Sequence, residues 1–200
     1  MATRTRSGAP GRLDGWMLHQ RLANFPARPV QQRKGSLQQT ALLHGGADRL
    51  ANAIAAQARF GGPVVVVDFG TAVTFDVVDA NQNYTGGIIA PGLAAMTDYL
   101  HEKTALLPRI KIAEPKSIVG KNTEQAMLSG AVLGYRGLIT ELLAHLKKEL
   151  STRRLPVVAT GGYAALMAEK MPAIRAVAPR RAVEGLRLVG LAHRPAWWRT

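Results

Sequence analysis

The 200-residue sequence contains no cysteine, which excludes disulfides, thiol nucleophiles and cysteine-ligated metal sites. It has no apolar run long enough to span a membrane, and it contains neither a Walker A motif nor a dinucleotide-binding fingerprint. Its five histidines show no metal-ligand spacing, and no serine lies in a nucleophile elbow. Residues 1–30 lack the continuous apolar core of a secretory signal. Together these absences favour a cytoplasmic protein without a membrane partner.

Acidic residues are scarce, since 13 Asp and Glu stand against 26 Lys and Arg, and the net charge is +13. The excess lies at the two ends: residues 1–44 and residues 170–200 each hold seven basic residues and one acidic residue. A nucleic-acid-binding domain more often has a basic stripe with interleaved aromatic residues in its folded part. The pattern therefore favours solvated basic ends, while nucleic-acid binding by these ends stays open as an alternative.

Hydrophobic residues make up 47% of the chain, which is enough for a core. Residues 1–44 are broken by proline and glycine and are predicted to be irregular, apart from a short helix near 16–23. Periodicity, β-branched runs and glycine or proline stops predict the elements that follow. They are a helix within 45–60, strands at 64–68, 72–78 and 84–90, a helix at 92–103, a helix at 123–149 with a candidate break near 134–137, a strand at 155–159, a helix after 162, a strand at 173–177 and a helix at 183–191.

The predicted order is a three-stranded meander followed by alternating helices and strands. Such an order indicates a mixed-sheet α/β layer fold. No internal repeat or low-complexity segment interrupts it.

The stretch VVVVDFGTAVTFD, residues 64–76, joins a buried strand to its neighbour through a tight turn. Asp68 ends the first strand, and Gly70 lets the backbone come close to a ligand. Thr71 and Thr74 add hydroxyl groups, and Asp68 is suited to hold Mg²⁺, or a water bound to it, beside phosphate oxygens. The alternative is a buried aspartate that caps its own turn.

A second glycine turn, Thr160-Gly161-Gly162, follows another predicted strand and opens a helix. Two glycines at a helix N-terminus allow a nucleotide to approach the backbone dipole. A simple strand-to-helix turn with Thr160 as the cap explains the same residues.

Two helix starts carry side chains suited to substrate binding. Asp48 is either an N-cap or a general base toward a substrate hydroxyl, and Arg49 beside it can bind an anionic substrate group. The residues Gly120-Lys-Asn-Thr123 precede another helix, where they serve either as caps or as a substrate-contacting loop.

The motifs occur in the order GGADRLAN, VVVVDFGTAVTFDVV, YTGGIIAPGL, TALLP, VGKNTEQAMLSG, VVATGGYA and EGLRLVGL. This order strongly resembles the type III pantothenate kinases of the acetate-kinase/sugar-kinase/Hsp70/actin superfamily, over residues 45–191. The resemblance implies a ribonuclease H-like/actin-like ATPase lobe with a mixed sheet. It divides the chain into a basic segment (1–44), a helical remnant of the first kinase lobe (45–62) and the second kinase lobe (63–200).

The resemblance also implies an activity, which is transfer of the γ-phosphoryl group of ATP to pantothenate in the first step of coenzyme A biosynthesis. It implies Mg²⁺, a monovalent cation (K⁺ or NH₄⁺) and a homodimer. On the substrate side, the matching motifs imply Asp48 as the general base and Gly46, Arg49 and Thr123 as pantothenate contacts. On the ATP side, they imply Gly70, Thr71 and Thr74 as phosphate-binding residues, and Thr160, Gly161 and Gly162 as adenosine-binding residues. They imply Asp68 as the metal-binding residue.

The sequence departs from the family pattern at one place. Family members begin with a strand that carries an Asp-x-Gly-Asn-Thr turn, and no such segment precedes Gly45. This departure predicts a truncated or altered first lobe and a helix at 45–60 whose apolar side is exposed. Loss of one phosphate clamp weakens transition-state stabilisation, so the alternative is an impaired or inactive homologue acting as a nucleotide-binding or accessory protein.

Overall fold

The computed structural model describes residues 47–178, except for the side chain of residue 47. Its elements alternate between helix and strand after an initial meander. In chain order they are α1 (Ala47–Phe60), β1 (Val64–Phe69), β2 (Ala72–Val78), β3 (Tyr84–Pro91), α2 (Leu93–Lys103), α3 (Thr123–Glu149), β4 (Val157–Thr160), α4 (Ala164–Ala168) and β5 (Ile174–Val177).

The five strands form one mixed sheet in the order β3-β2-β1-β4-β5. Strands β1 to β3 form the antiparallel meander that tight turns allow, and β4 and β5 run parallel to β1 after helical crossovers. This order is that of a ribonuclease H-like/actin-like lobe, and the predicted fold class is confirmed.

The four valines of β1 are fully buried because the strand is covered on both sides. Alternate residues of a strand point to opposite faces of its sheet. Val65 and Val67 belong to the larger core, which includes side chains of α3, whereas Val64 and Val66 belong to a smaller core with α1. Burial on both faces explains why the run is continuous rather than alternating.

Helix α1 lies on this same sheet. Ala53 and Ala56 are fully buried in the smaller core, where they meet Val64 and Val66. The prediction that the apolar side of this helix is exposed is therefore wrong. Small alanine side chains let the helix lie close to β1 and β2, and that packing covers the surface.

Helix α3 runs without interruption through its glycines, so the candidate break near residues 134–137 is absent. Its buried side chains Val132, Tyr135, Ile139 and Leu143 hold it on the sheet across that region. The predicted helices at 16–23 and 183–191 lie outside the described residues. Among the described helices, none is both long enough and apolar enough to cross a bilayer.

Candidate active site

Three predicted site residues form one row across the sheet. Asp68 at the end of β1 is paired with Thr74 of β2 on one side and with Thr160 of β4 on the other. Directly paired residues of neighbouring strands share a face, so the three side chains lie together on the side covered by α1. The strand register therefore brings together two glycine turns that the sequence predicted as separate features.

The turns that follow β1 and β4 are in direct contact. Gly161 has a φ of +93°, and a Cβ atom there would lie 2.6 Å from Asp68 Oδ1 and from the Phe69 carbonyl oxygen. Glycine is therefore required at 161, both for its backbone conformation and for the close approach. Gly70 donates its N–H to the Ala72 carbonyl at 3.1 Å, and Thr71 beside it is exposed.

The carboxylate of Asp68 is half-buried and held by α1. Asn52 Nδ2 donates to Asp68 Oδ2 at 3.1 Å, and the Asn52 side chain is itself buried. Burial raises the pKa of Asp68, the Asn52 hydrogen bond opposes that shift, and the negative charge of Asp48 adds to it. A positive charge placed here would offset the cost of burial, so the site suits a cation.

Asp48 is exposed in the first turn of α1, four residues before Asn52. Residues four apart lie on one face of a helix, which explains why the charge of Asp48 acts on Asp68. The proposed base and the predicted phosphate-side carboxylate therefore belong to one cluster. Gly46, the other predicted residue of this motif, lies outside the described residues.

Arg49 is anchored to the sheet rather than extended into solvent. Its Nε donates to Asp76 Oδ1 at 2.7 Å, and the hydroxyl of Tyr84 donates to the same oxygen at 3.1 Å. Asp76 is completely buried, and burial, only partly offset by Arg49, raises its pKa to about 6. Burial and the adjacent Asp76 raise the pKa of Tyr84 to about 12, which keeps its hydroxyl protonated as a donor.

Thr123 is not part of this cluster. It is the exposed first residue of α3, after the cap formed by Asn122 Oδ1 on the Gln125 N–H at 2.9 Å. The described residues of α3 and α1 belong to cores on opposite faces of the sheet. Within this one chain, no described contact joins Thr123 to Asp48, and its role as a substrate contact stays a prediction.

Asn52, Asp76 and Tyr84 were not predicted from the sequence as residues of this site. Asp76 ends the quoted stretch 64–76, and an aspartate inside an apolar strand is a signal in itself, because a buried carboxylate needs a partner. Asn52 lies at helical spacing from Asp48, but spacing alone does not reveal which strand faces it.

A divalent-metal site built only from protein ligands is not present in the described part of the chain, which holds no group of three His, Asp or Glu side chains suited to one. Mg²⁺ in kinases usually takes one or two carboxylates together with substrate phosphates. The single carboxylate of Asp68 fits that arrangement. The buried Oδ1 of Asn52, which has no hydrogen-bond partner among the described residues, adds a neutral oxygen nearby.

This chain resembles known proteins both in sequence and in fold. The sequence profile of the type III pantothenate kinase family matches residues 37–145. A type III pantothenate kinase from Akkermansia muciniphila is 57% identical over 143 residues, covering 72% of this chain and 59% of the relative. One from Methylacidiphilum infernorum is 48% identical over 146 residues, covering 72% of this chain and 54% of the relative. The chain thus spans little more than half the length of these relatives.

A solved structure shares the fold. The conserved putative Baf family transcriptional activator from Campylobacter jejuni superimposes with a TM-score of 0.54 at 20% identity, covering 84% of this chain and 69% of that one. This likeness supports the fold alone. The profile match and the sequence identities show that the chain belongs to the type III pantothenate kinase family.

Proposed function

We propose that this chain catalyses ATP-dependent phosphorylation of pantothenate to 4'-phosphopantothenate, the first step of coenzyme A biosynthesis. One observation carries the proposal: Asn52 ties the helix that bears Asp48 to Asp68, at the point where the two glycine turns meet. A base for the acceptor hydroxyl and a carboxylate for the phosphate side are thereby held in one cluster.

The chemical step needs mainly positioning and charge stabilisation. The terminal hydroxyl oxygen of pantothenate forms a bond to the γ-phosphorus while the bond to the β–γ bridging oxygen breaks and ADP leaves. The Asp48 carboxylate, which is exposed, accepts the hydroxyl proton. Arg49 binds the carboxylate of pantothenate and so orients its far end.

On the ATP side, Gly70, Thr71 and Thr74 bind phosphate oxygens, and the turn from Thr160 to Gly162 receives the adenosine. Asp68 would hold Mg²⁺ or the monovalent cation, K⁺ or NH₄⁺. Mg²⁺ bound with ATP supplies neutralisation of the phosphate charge. The raised pKa of Asp68, caused first by burial, supports a cation at this carboxylate.

We also infer a cytoplasmic homodimer that does not require nucleic acid. Large apolar side chains are exposed in the segment between α2 and α3: Ile118 is 71% exposed and Val119 is 74% exposed. Adjacent exposed apolar residues of this size favour a protein interface. Thr123 lies four residues beyond them, so pairing of two chains would bring a second copy close to it.

The test is a kinase assay on the full 200-residue chain with ATP, Mg²⁺, K⁺ and pantothenate. Asp48→Asn removes the base and is expected to lower kcat by about 10²- to 10⁴-fold. The matched control is Asp98→Asn, which makes the same change at a half-exposed residue of α2 paired only loosely with Arg109 at 3.8 Å. This control is expected to keep the activity of the unsubstituted chain.

ATP binding without turnover by the folded chain would overturn the kinase proposal. It would favour the alternative of an inactive homologue that retains its nucleotide site. Equal activity of the Asp48→Asn and Asp98→Asn variants would instead remove Asp48 from the role of base.

A further inference from the structure

The side chain of Arg49 lies in a recess formed by two strands. It is only 12% exposed, and its Nε donates to a carboxylate that is completely buried, Asp76 on β2. The hydroxyl of Tyr84 on β3 approaches the same Oδ1 atom from the neighbouring strand. Two side chains from two strands therefore converge on the partner of one guanidinium group.

Gly87 completes this recess. It is paired with Asp76 in the strand register, and a Cβ atom at this position would lie 2.6 Å from Arg49 Nη2 and would overlap the Phe75 carbonyl oxygen. Only glycine leaves room for the guanidinium on this part of β3. We call Asp76, Tyr84 and Gly87 the arginine seat.

The ion pair of Arg136, a buried arginine on α3, offers a comparison within this fold. Arg136 donates Nη1 to Glu114 Oε1 at 2.9 Å, Nη2 to the other carboxylate oxygen, and Nη2 also to the Leu166 carbonyl at 2.8 Å. Both terminal nitrogens of Arg136 are therefore occupied by protein acceptors. Its pairing joins α3 to the chain before and after it.

Arg49 is bound differently, because its Nε, and not its Nη fork, donates to the buried carboxylate. The Tyr84 hydroxyl also lies within hydrogen-bonding reach of the guanidinium group. The Nη groups form the fork that binds a carboxylate in a bidentate way. A buried carboxylate is costly, and a well-packed apolar residue at position 76 would usually give a stability at least as high. The seat thus orients an arginine whose Nη fork is not used by the buried carboxylate of Asp76.

We propose that Asp76, Tyr84 and Gly87 are positioning residues that fix the Arg49 guanidinium, so that Nη1 and Nη2 select a substrate with a carboxylate. The proposal rests on the proposed function, because the carboxylate in question is that of pantothenate. Asp76 and Tyr84 act through Arg49 and do not touch the reacting atoms. Their loss should therefore change substrate preference and leave the use of ATP unaffected.

The experiment compares pantothenate with pantothenyl alcohol, a neutral analogue that keeps the phosphate-accepting hydroxyl and replaces the carboxylate with a hydroxymethyl group. Asp76→Asn is measured against Asp98→Asn at pH 7.5. In Asp76→Asn we expect the ratio of kcat/KM for pantothenate over the alcohol to fall about tenfold, because misplaced charge-assisted hydrogen bonds weaken steeply. The KM for ATP should stay unchanged, and Asp98→Asn should keep the original ratio.

Equilibrium binding of both compounds separates this proposal from the kinase proposal. If the original chain binds pantothenate in preference to the alcohol without turnover, and Asp76→Asn loses the preference, the kinase proposal fails and the seat stands. If the chain is active and Asp76→Asn keeps the preference, the seat is overturned and the kinase stands. If the original chain shows no preference for the carboxylate in turnover or in binding, the seat is overturned as well.

Tyr84→Phe provides a second variant if Asp76→Asn does not fold. It keeps the ring in the core and removes only the hydroxyl donor to Asp76. We expect the preference for the carboxylate to fall about two- to threefold, in keeping with one lost hydrogen bond at the partner of Arg49. A fall in ATP use of the same size, or no change in preference, would contradict a positioning role.

Discussion

Asp76 keeps an ionisable carboxyl group away from water in the middle of a strand. Its Oδ1 receives hydrogen bonds from Arg49 and Tyr84, whereas its buried Oδ2 has no partner among the described residues. One arginine does not fully replace the lost hydration, so the pKa of Asp76 rises to about 6. At the scale of the residue, the buried Asp76 that orients Arg49 therefore lowers the stability of the folded chain near neutral pH.

The pH dependence of stability tests this arrangement. The pKa of Asp76 is 3.8 in its ordinary state and about 6 in the folded chain, so the folded state binds the proton more tightly. The contribution of Asp76 to the free energy of unfolding is then highest below pH 4. This contribution falls by about 3 kcal/mol as the pH rises to 7. Asparagine at position 76 cannot ionise and lacks this dependence.

The measurement is urea unfolding of the original chain and of Asp76→Asn at pH 4, 5, 6 and 7.5. The stability advantage of the original chain over the variant should shrink steadily along this series. Asp98→Asn is the matched control for the chemical change. If the stability advantage of the original chain instead grows with rising pH, pairing with Arg49 lowers the pKa of Asp76 more than burial raises it, and the prediction is wrong.

At the scale of the element, the meander and its helices could be predicted from composition and period. The apolar run before Asp68 and the glycine stops fixed the first three strands within a residue or two, because both faces of β1 are buried. The position of α1 could not be predicted. Which face of the sheet a helix covers depends on long-range packing, and Ala53 and Ala56 are equally suited to several partners.

The same limit applies to the site. Asp68 and Thr160 end different strands, and their turns could be identified from the sequence, but only the register of β1 with β4 makes them neighbours. Asn52 and Asp76 could not be predicted as site residues, because the sequence shows only that one lies in a helix and the other in a strand. Their proposed roles depend on contacts between residues that are 16 and 27 positions apart in the sequence.

Gly161 and Gly162 offer a direct test of the contact between the two turns. Gly161→Ala must adopt a positive φ and brings a Cβ within 2.6 Å of Asp68 Oδ1 and the Phe69 backbone. We expect a loss of about 2–4 kcal/mol in the free energy of unfolding, from strain and overpacking together. The matched control is Gly162→Ala, where nothing lies within 4 Å of the added atom.

Denaturant unfolding of the two variants at one pH gives the comparison. Gly162→Ala should lie within about 0.5 kcal/mol of the original chain, as is usual for a surface substitution. Equal stability of the two alanine variants would show that the turns after β1 and β4 are not held against each other.

At the scale of the whole molecule, the excess positive charge and the exposed apolar residues lie in different parts of the chain. The excess positive charge of the sequence lies mainly in residues 1–44 and 170–200, which are largely outside this part. The exposed apolar residues Ile118 and Val119 lie between α2 and α3. If two chains associate, we expect them to meet through this apolar segment rather than through the basic ends, because like charges repel.

The molar mass in solution tests that association. We expect the original chain to sediment as a dimer. In the double variant Ile118→Asn, Val119→Asn we expect the dissociation constant of the dimer to rise at least tenfold, because the variant removes apolar contact area. Ile89→Asn is the matched control, because Ile89 is a large apolar residue that is 65% exposed on β3. A monomeric original chain, or equal weakening by Ile89→Asn, would contradict the proposed interface.

The packing of α1 on β1 has a mechanical consequence. Asp48 and Asp68 are carried by two elements that share one buried core, with Ala53 and Ala56 against Val64 and Val66. The proposed proton acceptor and the proposed phosphate-side carboxylate are therefore held by the same packing. Under the proposed function, a closing motion would bring ATP to this pair, and we expect the spacing within the pair to stay the same.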